Sequence, residues 1–122
     1  MLILNLPFPP SVNTYWRANG TRRFISKAGQ EFKIAVQDYV IENKVPKLGS
    51  IRLYVEITLY APNKRKFDID NRLKAVLDAL QDAGVYDDDE QIDVLIVQRG
   101  VAKQGGGCQV FIKEDDELDV EP

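Results

Sequence analysis

Ile51-Arg52-Leu53-Tyr54-Val55-Glu56-Ile57-Thr58-Leu59-Tyr60 is the clearest strand in the chain. Ile51, Leu53, Val55, Ile57 and Leu59 fall on one face, with Arg52, Tyr54, Glu56 and Thr58 on the other. Successive strand side chains point to opposite sides, so this alternation predicts one face turned into a core. Upstream, Leu2-Ile3-Leu4-Asn5-Leu6 reads as a first strand, stopped by Pro7, Pro9 and Pro10. Thr21 to Ile25 reads as a second short strand after an Asn19-Gly20 turn. Ser26 then caps a helix to about Asn43, in which Phe32, Ala35, Val36, Tyr39 and Val40 recur at the spacing of one apolar stripe. Pro46 and Gly49 break it. Downstream, a helix is predicted from about Asn71 to Ala83, with Leu73, Val76, Leu77 and Leu80 inward and Gly84 as its stop. Ile92–Val97 and Cys108–Lys113 complete the strands. Strands and helices interleave without repeat or linker. The expected fold class is therefore α/β, a single domain over residues 1–113 with a mixed β-sheet packed by two main helices. Residues 114–122 read as an acidic, disordered tail.

Composition narrows the chemistry. The 122 residues are 44% hydrophobic, enough for one core without disulfide support. The one cysteine, Cys108, lies in the alternating run Cys108-Gln109-Val110-Phe111-Ile112 and reads as a buried thiol. Met1 to Asn5 has neither the basic region nor the long apolar stretch of a signal peptide, and no segment approaches the roughly 20 apolar residues of a membrane span. The chain reads as soluble and cytosolic. It contains no histidine. That removes imidazole bases, Ser-His-Asp and Cys-His triads, and zinc sites built on His; one cysteine removes thiolate zinc sites too. A catalytic metal would need carboxylate, amide, carbonyl and water oxygens, which favour Mg²⁺ or Mn²⁺.

The net charge of −3 hides a division. Residues 1–66 hold 11 Lys/Arg against 4 Asp/Glu, and residues 67–122 hold 5 against 15. A basic half beside an acidic cluster suits a protein that grips phosphate and also holds a metal.

The acidic half is concentrated in Phe67-Asp68-Ile69-Asp70-Asn71-Arg72-Leu73-Lys74 and in Asp87-Asp88-Asp89-Glu90. In an extended segment, positions i and i+2 face one way, so Asp68 and Asp70 are expected together at the entry to a helix. Two such carboxylates repel unless a cation lies between them. A helix of some 13 residues runs about 20 Å, so the second acidic group meets the first only if its loop folds back or both share a sheet edge. A combined cup could hold one or two divalent ions about 3.5–4 Å apart and act on a phosphodiester. Lys74, one turn after Asp70, is placed to stabilise developing charge. Other readings exist: Asp70 as a helix cap, Asp70 and Lys74 as an i,i+4 surface pair, Asp87–Glu90 as a solvated loop. A calcium loop on Asp87, Asp89, Gln91 and Asp93 fails, because Ile92 and Gln98 stand where the turn glycine and closing glutamate belong.

These residues form a pattern. Asp68-x-Asp70-Asn71, then Lys74, Ala83-Gly84 and Asp88-Asp89-x-Gln91-Ile92, resembles the active-site pattern of the RusA family of Holliday-junction resolvases. Leu6-Pro7-Phe8-Pro9-Pro10-Ser11-x-Asn13-x-Tyr15-x-Arg17 is similar to the family's opening motif, and Ser26-x-x-Gly29-Gln30 to the start of its first long helix. The resemblance covers about residues 2–112. It implies a homodimer that binds a four-way DNA junction and nicks two strands symmetrically, with Mg²⁺ as cofactor and Mn²⁺ able to substitute. It implies Asp68, Asp70 and Asp89 as catalytic carboxylates and metal ligands, Asp88 as the alternative third ligand, and Lys74 as the essential lysine. Some relatives carry a basic residue immediately before the first Asp, where this chain has Phe67. A phage or prophage setting is also suggested. Arg17, Arg22, Arg23, Lys27, Lys64, Arg65 and Lys66 are the candidate phosphate contacts. The alternatives are a less selective branched-DNA or flap nuclease and a catalytically inactive DNA-binding relative. Complete carboxylates and Lys74 argue against inactivity.

Overall fold

In the computed structural model, which describes residues 1–116, the strand expected from Ile51 runs from Leu53 to Tyr60. Its alternation is realised: Leu53, Val55, Ile57 and Leu59 are fully buried, and the residues between them are half-buried. In chain order the elements are β1 (Leu2–Leu6), α1 (Val12–Tyr15), β2 (Trp16–Asn19), β3 (Arg22–Ile25), α2 (Lys27–Glu42) and β4 (Leu53–Tyr60). They continue with a 3₁₀ turn at Ile69–Arg72, α3 (Leu73–Asp82), a second 3₁₀ turn at Asp89–Gln91, β5 (Ile92–Arg99) and β6 (Gly107–Glu114).

The main sheet has the order β1-β6-β4-β5. β6 pairs antiparallel with both β1 and β4, while β5 pairs parallel with β4. A parallel pair needs a crossover, and the segment carrying α3 supplies it. The fold is mixed α/β with two main helices, as the sequence pattern implies. Phe32 and Val36 of α2 and Ala75, Val76, Ala79 and Leu80 of α3 join the buried strand residues in one core. Lys33 of α2 pairs with Asp82 of α3. Cys108 is buried in that core, and desolvation pushes its thiol up to about 12. No helix among the described residues is long and apolar enough to cross a membrane.

Four boundaries differ from the pattern reading. The short strand expected at Thr21–Ile25 begins at Arg22 and pairs with β2, an element the sequence left unassigned. The helix expected from Asn71 begins at Leu73, because Ile69–Arg72 winds as a tighter 3₁₀ turn. β5 runs on to Arg99. β6 extends through Glu114, and the Asp115 N–H donates to the Arg52 carbonyl at 2.9 Å, so the first residues assigned to the acidic tail belong to the folded body. The rest of that tail, from residue 117, lies outside the described residues.

Two sequence motifs acquire structural reasons. Ser26 caps α2, accepting from the Gly29 N–H at 3.1 Å while its hydroxyl donates to the Thr14 carbonyl. A Cβ at Gly29 would stand 2.6 Å from Ile25 Cγ2 and 3.0 Å from Tyr15 Cδ1. Only glycine lets α2 lie this close to Tyr15 without displacement, which is the role of Ser26-x-x-Gly29.

Candidate active site

β4 ends in an exposed basic loop, Lys64-Arg65-Lys66, which leads directly into Phe67 and Asp68. Asp68 is extended (φ −91°, ψ 130°) and precedes the 3₁₀ turn. Its carbonyl accepts from the Asn71 N–H at 3.3 Å, and its carboxylate accepts from Asn71 Nδ2 at 3.4 Å. Asp70 lies inside the turn. Asp68 is extended but Asp70 is wound into the 3₁₀ turn, so the two do not share one extended segment and the alternation that predicted a common side does not apply. Asp70 is not a helix cap either: Arg72 holds that position for α3, with no side-chain cap bond. The Asp70 carboxylate is exposed and has no hydrogen-bond or ion-pair partner among the described residues.

Lys74 pairs not with Asp70 but with Asp78, at 3.2 Å. Asp78 keeps only 20% of its side chain exposed, and its other oxygen accepts from the buried Tyr15 hydroxyl at 3.4 Å. This lysine is therefore held from one side by a carboxylate that is itself held by the core. The second acidic group approaches the same flank. The Asp89 N–H donates to Gln81 Oε1 of α3 at 3.0 Å. Burial, then Asp88 beside it, raises the Asp89 carboxyl above its usual range; Asp78 adds to this and Lys74 opposes it. Tyr86, buried with its hydroxyl donating to the Leu77 carbonyl at 2.7 Å, is raised by burial and by Asp89, Asp78 and Asp88 in turn.

Asp88 caps the turn, its carboxylate accepting from the Glu90 N–H at 2.9 Å. Gln91, buried to 4% exposure, completes a capping box: its Oε1 accepts from the N–H groups of Asp87 and Asp88 at 3.0 and 2.9 Å. Its Nε2 donates to the carbonyls of Gly49 and Ile51 at 2.9 and 2.6 Å. One satisfied amide thus fastens the acidic loop to the segment that enters β4.

The structure gathers Lys74, Asp78, Asp88, Asp89 and Tyr86 in one neighbourhood, with Asp70 four residues and Asp68 six residues upstream of Lys74. Among the described residues, no three His, Cys, Asp or Glu side chains stand close enough to hold a metal ion. The donor chemistry nevertheless fits a hard divalent cation. Asp70 is an unpartnered carboxylate, and Asp89 is crowded by like charge with Lys74 in opposition. The two ends of the pattern also meet: a cavity of about 330 Å³ is lined by Ser11 and Asn13 of the opening motif and by Lys66, Asp68, Asn71 and Arg72.

Residues 7–113 match the family described as Endodeoxyribonuclease RusA. The chain belongs to the RusA family. It is 41% identical over 109 residues to the crossover junction endodeoxyribonuclease of Enterobacteria phage HK97, covering 89% of this chain and 91% of that one. It is 37% identical over 113 residues to the protein of that name from Shigella sonnei and 36% identical to that of Escherichia coli K12, covering 91% of this chain and 92% of each relative.

Against the RusA pattern, the structure gives roles to Tyr15 and Gln91, which the motifs contain, and to Asp78, Gln81 and Arg72, which motif reading passed over. Asp78 and Tyr15 fix the lysine, Gln81 and Gln91 fix the acidic loop, and Arg72 enters the cavity beside Asp68. The i,i+4 spacing of Lys74 and Asp78 was the available signal for the first of these. The candidate phosphate contacts form two groups. Arg17, Arg22 and Arg23 project from the β2–β3 hairpin, where the register puts Arg17 and Arg22 on one face and Arg23 on the other, 4.9 Å over the Trp16 ring. Lys64, Arg65 and Lys66 lie next to Asp68. Lys27, at the start of α2, is exposed and 3.9 Å from Glu31.

Proposed function

We propose that this chain is an endodeoxyribonuclease that resolves four-way DNA junctions, acting with Mg²⁺ or Mn²⁺ and as a homodimer. The observation that carries the reading is the unpartnered Asp70 carboxylate, two residues after Asp68 and set between a basic loop and a lysine fixed one turn away. Binding DNA alone gains nothing from exposed carboxylates next to its phosphates, whereas phosphodiester hydrolysis does. The relatives' name, crossover junction endodeoxyribonuclease, supplies the substrate class.

Asp68, Asp70 and Asp89, which do not converge in this structure, would have to close together to hold the metal, with Asp88 retained as cap of its turn. Such an ion, held there, would supply a water of lowered pKa and offset charge on the phosphate. Asp78 holds the Lys74 ammonium by one oxygen while Tyr15 secures the other, so the positive charge stays in place as negative charge develops on the phosphate. Lys64, Arg65 and Lys66 draw the DNA backbone to this edge of the molecule. Each chain offers one such site, and a twofold pair of chains offers the two opposed cuts that a four-way junction requires.

Asp70→Asn tests the assignment. Asn is nearly isosteric but brings no charge to hold a cation, and at an exposed position it leaves the fold intact. A labelled four-way junction should be nicked by the wild type with Mg²⁺ and left whole by the variant. Metal-free gel shifts should show the variant binding at least as tightly, because one repulsive charge is gone. Near-normal nicking by the Asn variant would remove Asp70 from the site.

A further inference from the structure

Phe67 stands at the centre of a cluster that no motif predicts. Arg99 lies over its ring, 4.3 Å from the centroid, and Arg72 approaches the same ring at 5.8 Å. Phe8 meets Phe67 edge-on at 5.5 Å, and Arg72 also lies 4.7 Å over the Phe8 ring. Each guanidinium is tied to the main chain: Arg72 Nη1 donates to the Pro9 carbonyl at 2.7 Å, and Arg99 Nη2 to the Phe67 carbonyl at 3.1 Å. Neither pairs with a carboxylate among the described residues.

That is an unusual way to hold two cations. A guanidinium presents five N–H donors in a planar fork, so each of these keeps most of its donors open. Arg72 is partly buried between the two rings. Ring faces offset only part of the cost of desolvating a cation, and a structure wanting internal stability alone would supply an acid or a neutral side chain. The guanidinium forks are ordered in advance, and the missing partner is an anion.

The surroundings say which anion. Three clefts adjoin along residues 61–72, with volumes of about 330, 390 and 250 Å³, and all three are lined by Lys66 and Phe67. Arg72 lines the first two and Arg99 the third; Asp68 lies in the first. The track is cationic along its length and reaches the acidic site at one end, which suits a polyanion whose charges repeat along a strand.

We propose that Arg72 and Arg99, mounted on Phe67, form a phosphate subsite that holds the cleaved DNA strand beside the scissile bond, with Arg72 gripping a phosphodiester flanking the one cut at Asp68 and Asp70. This rests on the endonuclease reading and deepens it. The exposed basic side chains of the loop and hairpin attract DNA generally, whereas a preorganised fork fixes register.

The test uses the full chain, Arg72→Gln, Arg72→Lys, and four-way junctions carrying a single neutral methylphosphonate at each phosphate flanking the cut. Arg72→Gln should lower single-turnover cleavage roughly tenfold to a hundredfold, the usual cost of losing a charge-assisted contact. It should also reduce the slope of log affinity against log salt by about one, measured without metal. Arg72→Lys should recover part of the loss only, since an ammonium cannot stack and fork together. One methylphosphonate position should slow the wild type by a similar factor and leave Arg72→Gln unaffected, since residue and phosphate then act as a pair. Equal penalties in both proteins at every position, or unaltered cleavage by Arg72→Gln, would overturn the subsite. If Arg72→Gln melts below the assay temperature, the wild-type scan decides, and a scan without any sensitive position overturns it. A wild type that never nicks the unmodified junction refutes the nuclease reading instead, and the salt slope still settles the subsite.

Discussion

Lys74 belongs to two patterns at once, four residues after Asp70 and four before Asp78. Helical spacing alone makes both partners available, and the winding decides between them. Because Ile69–Arg72 is a 3₁₀ turn, Asp70 is carried away from the position that a continuous α-helix would give it, and Lys74 bonds forward to Asp78. The pair is half-exposed on the lysine side, so its worth to stability is a few tenths of a kcal/mol. Lys74→Ala should therefore melt within a degree or two of the wild type while turnover falls by about a hundredfold or more. Junction affinity, by gel shift, should stay within a few-fold. Turnover near the wild-type level would return Lys74 to the role of a surface partner. At this scale the motif residues were legible from spacing, and their relative placement was not. The inference that Asp68 and Asp70 share a side assumed an extended segment, and the cap that Asp88 makes to the Glu90 N–H could not be read from a run of four acids.

Among elements, those with a full period were readable and those without were not. β4 and β6 show four or more alternations, and α2 shows a stripe with a capping serine, so burial and start point follow from the pattern. α1 and β2 have four residues each, too few for either period to emerge, and they take their shape from packing against α2 and from pairing with β3. The acidic loop is a third kind of element, neither periodic nor free. Gln91 gives it form through four hydrogen bonds to two separate segments. Removing that amide takes the partner from the Ile51 carbonyl and the Asp88 N–H, while the Asp87 N–H and the Gly49 carbonyl keep their bond to each other at 3.1 Å. Gln91→Ala should destabilise the fold by about 3 kcal/mol, read as a lower urea midpoint at unchanged slope. A loss below about 1 kcal/mol would mean that water replaces the amide and that the loop is held by other contacts.

For the whole molecule, the uneven charge of the sequence is resolved in space. Basic side chains flank Asp68 through Lys64–Lys66, Arg72 and Arg99, while acids collect near Asp89 across Lys74, so attraction for DNA and affinity for a cation occupy adjoining ground. One chain carries one such border. Light scattering at micromolar concentration should give about twice the 13.8 kDa chain mass. A clean monomer that still makes paired cuts would refute the twofold arrangement. The strand order β1-β6-β4-β5 has a consequence for how the chain is made. β6, made after every other strand of the sheet, is an interior strand whose two neighbours come from residues 2–6 and 53–60. At roughly 5–20 residues per second, β1 waits on the order of 5–20 s for a partner. Within that interval β4 has no sheet partner until β5 is made, and its β6-facing edge stays open to neighbouring nascent chains until residues 107–114 follow. Yield in the cell should then depend on how quickly translation passes residues 107–114, more than on the stability of the finished protein.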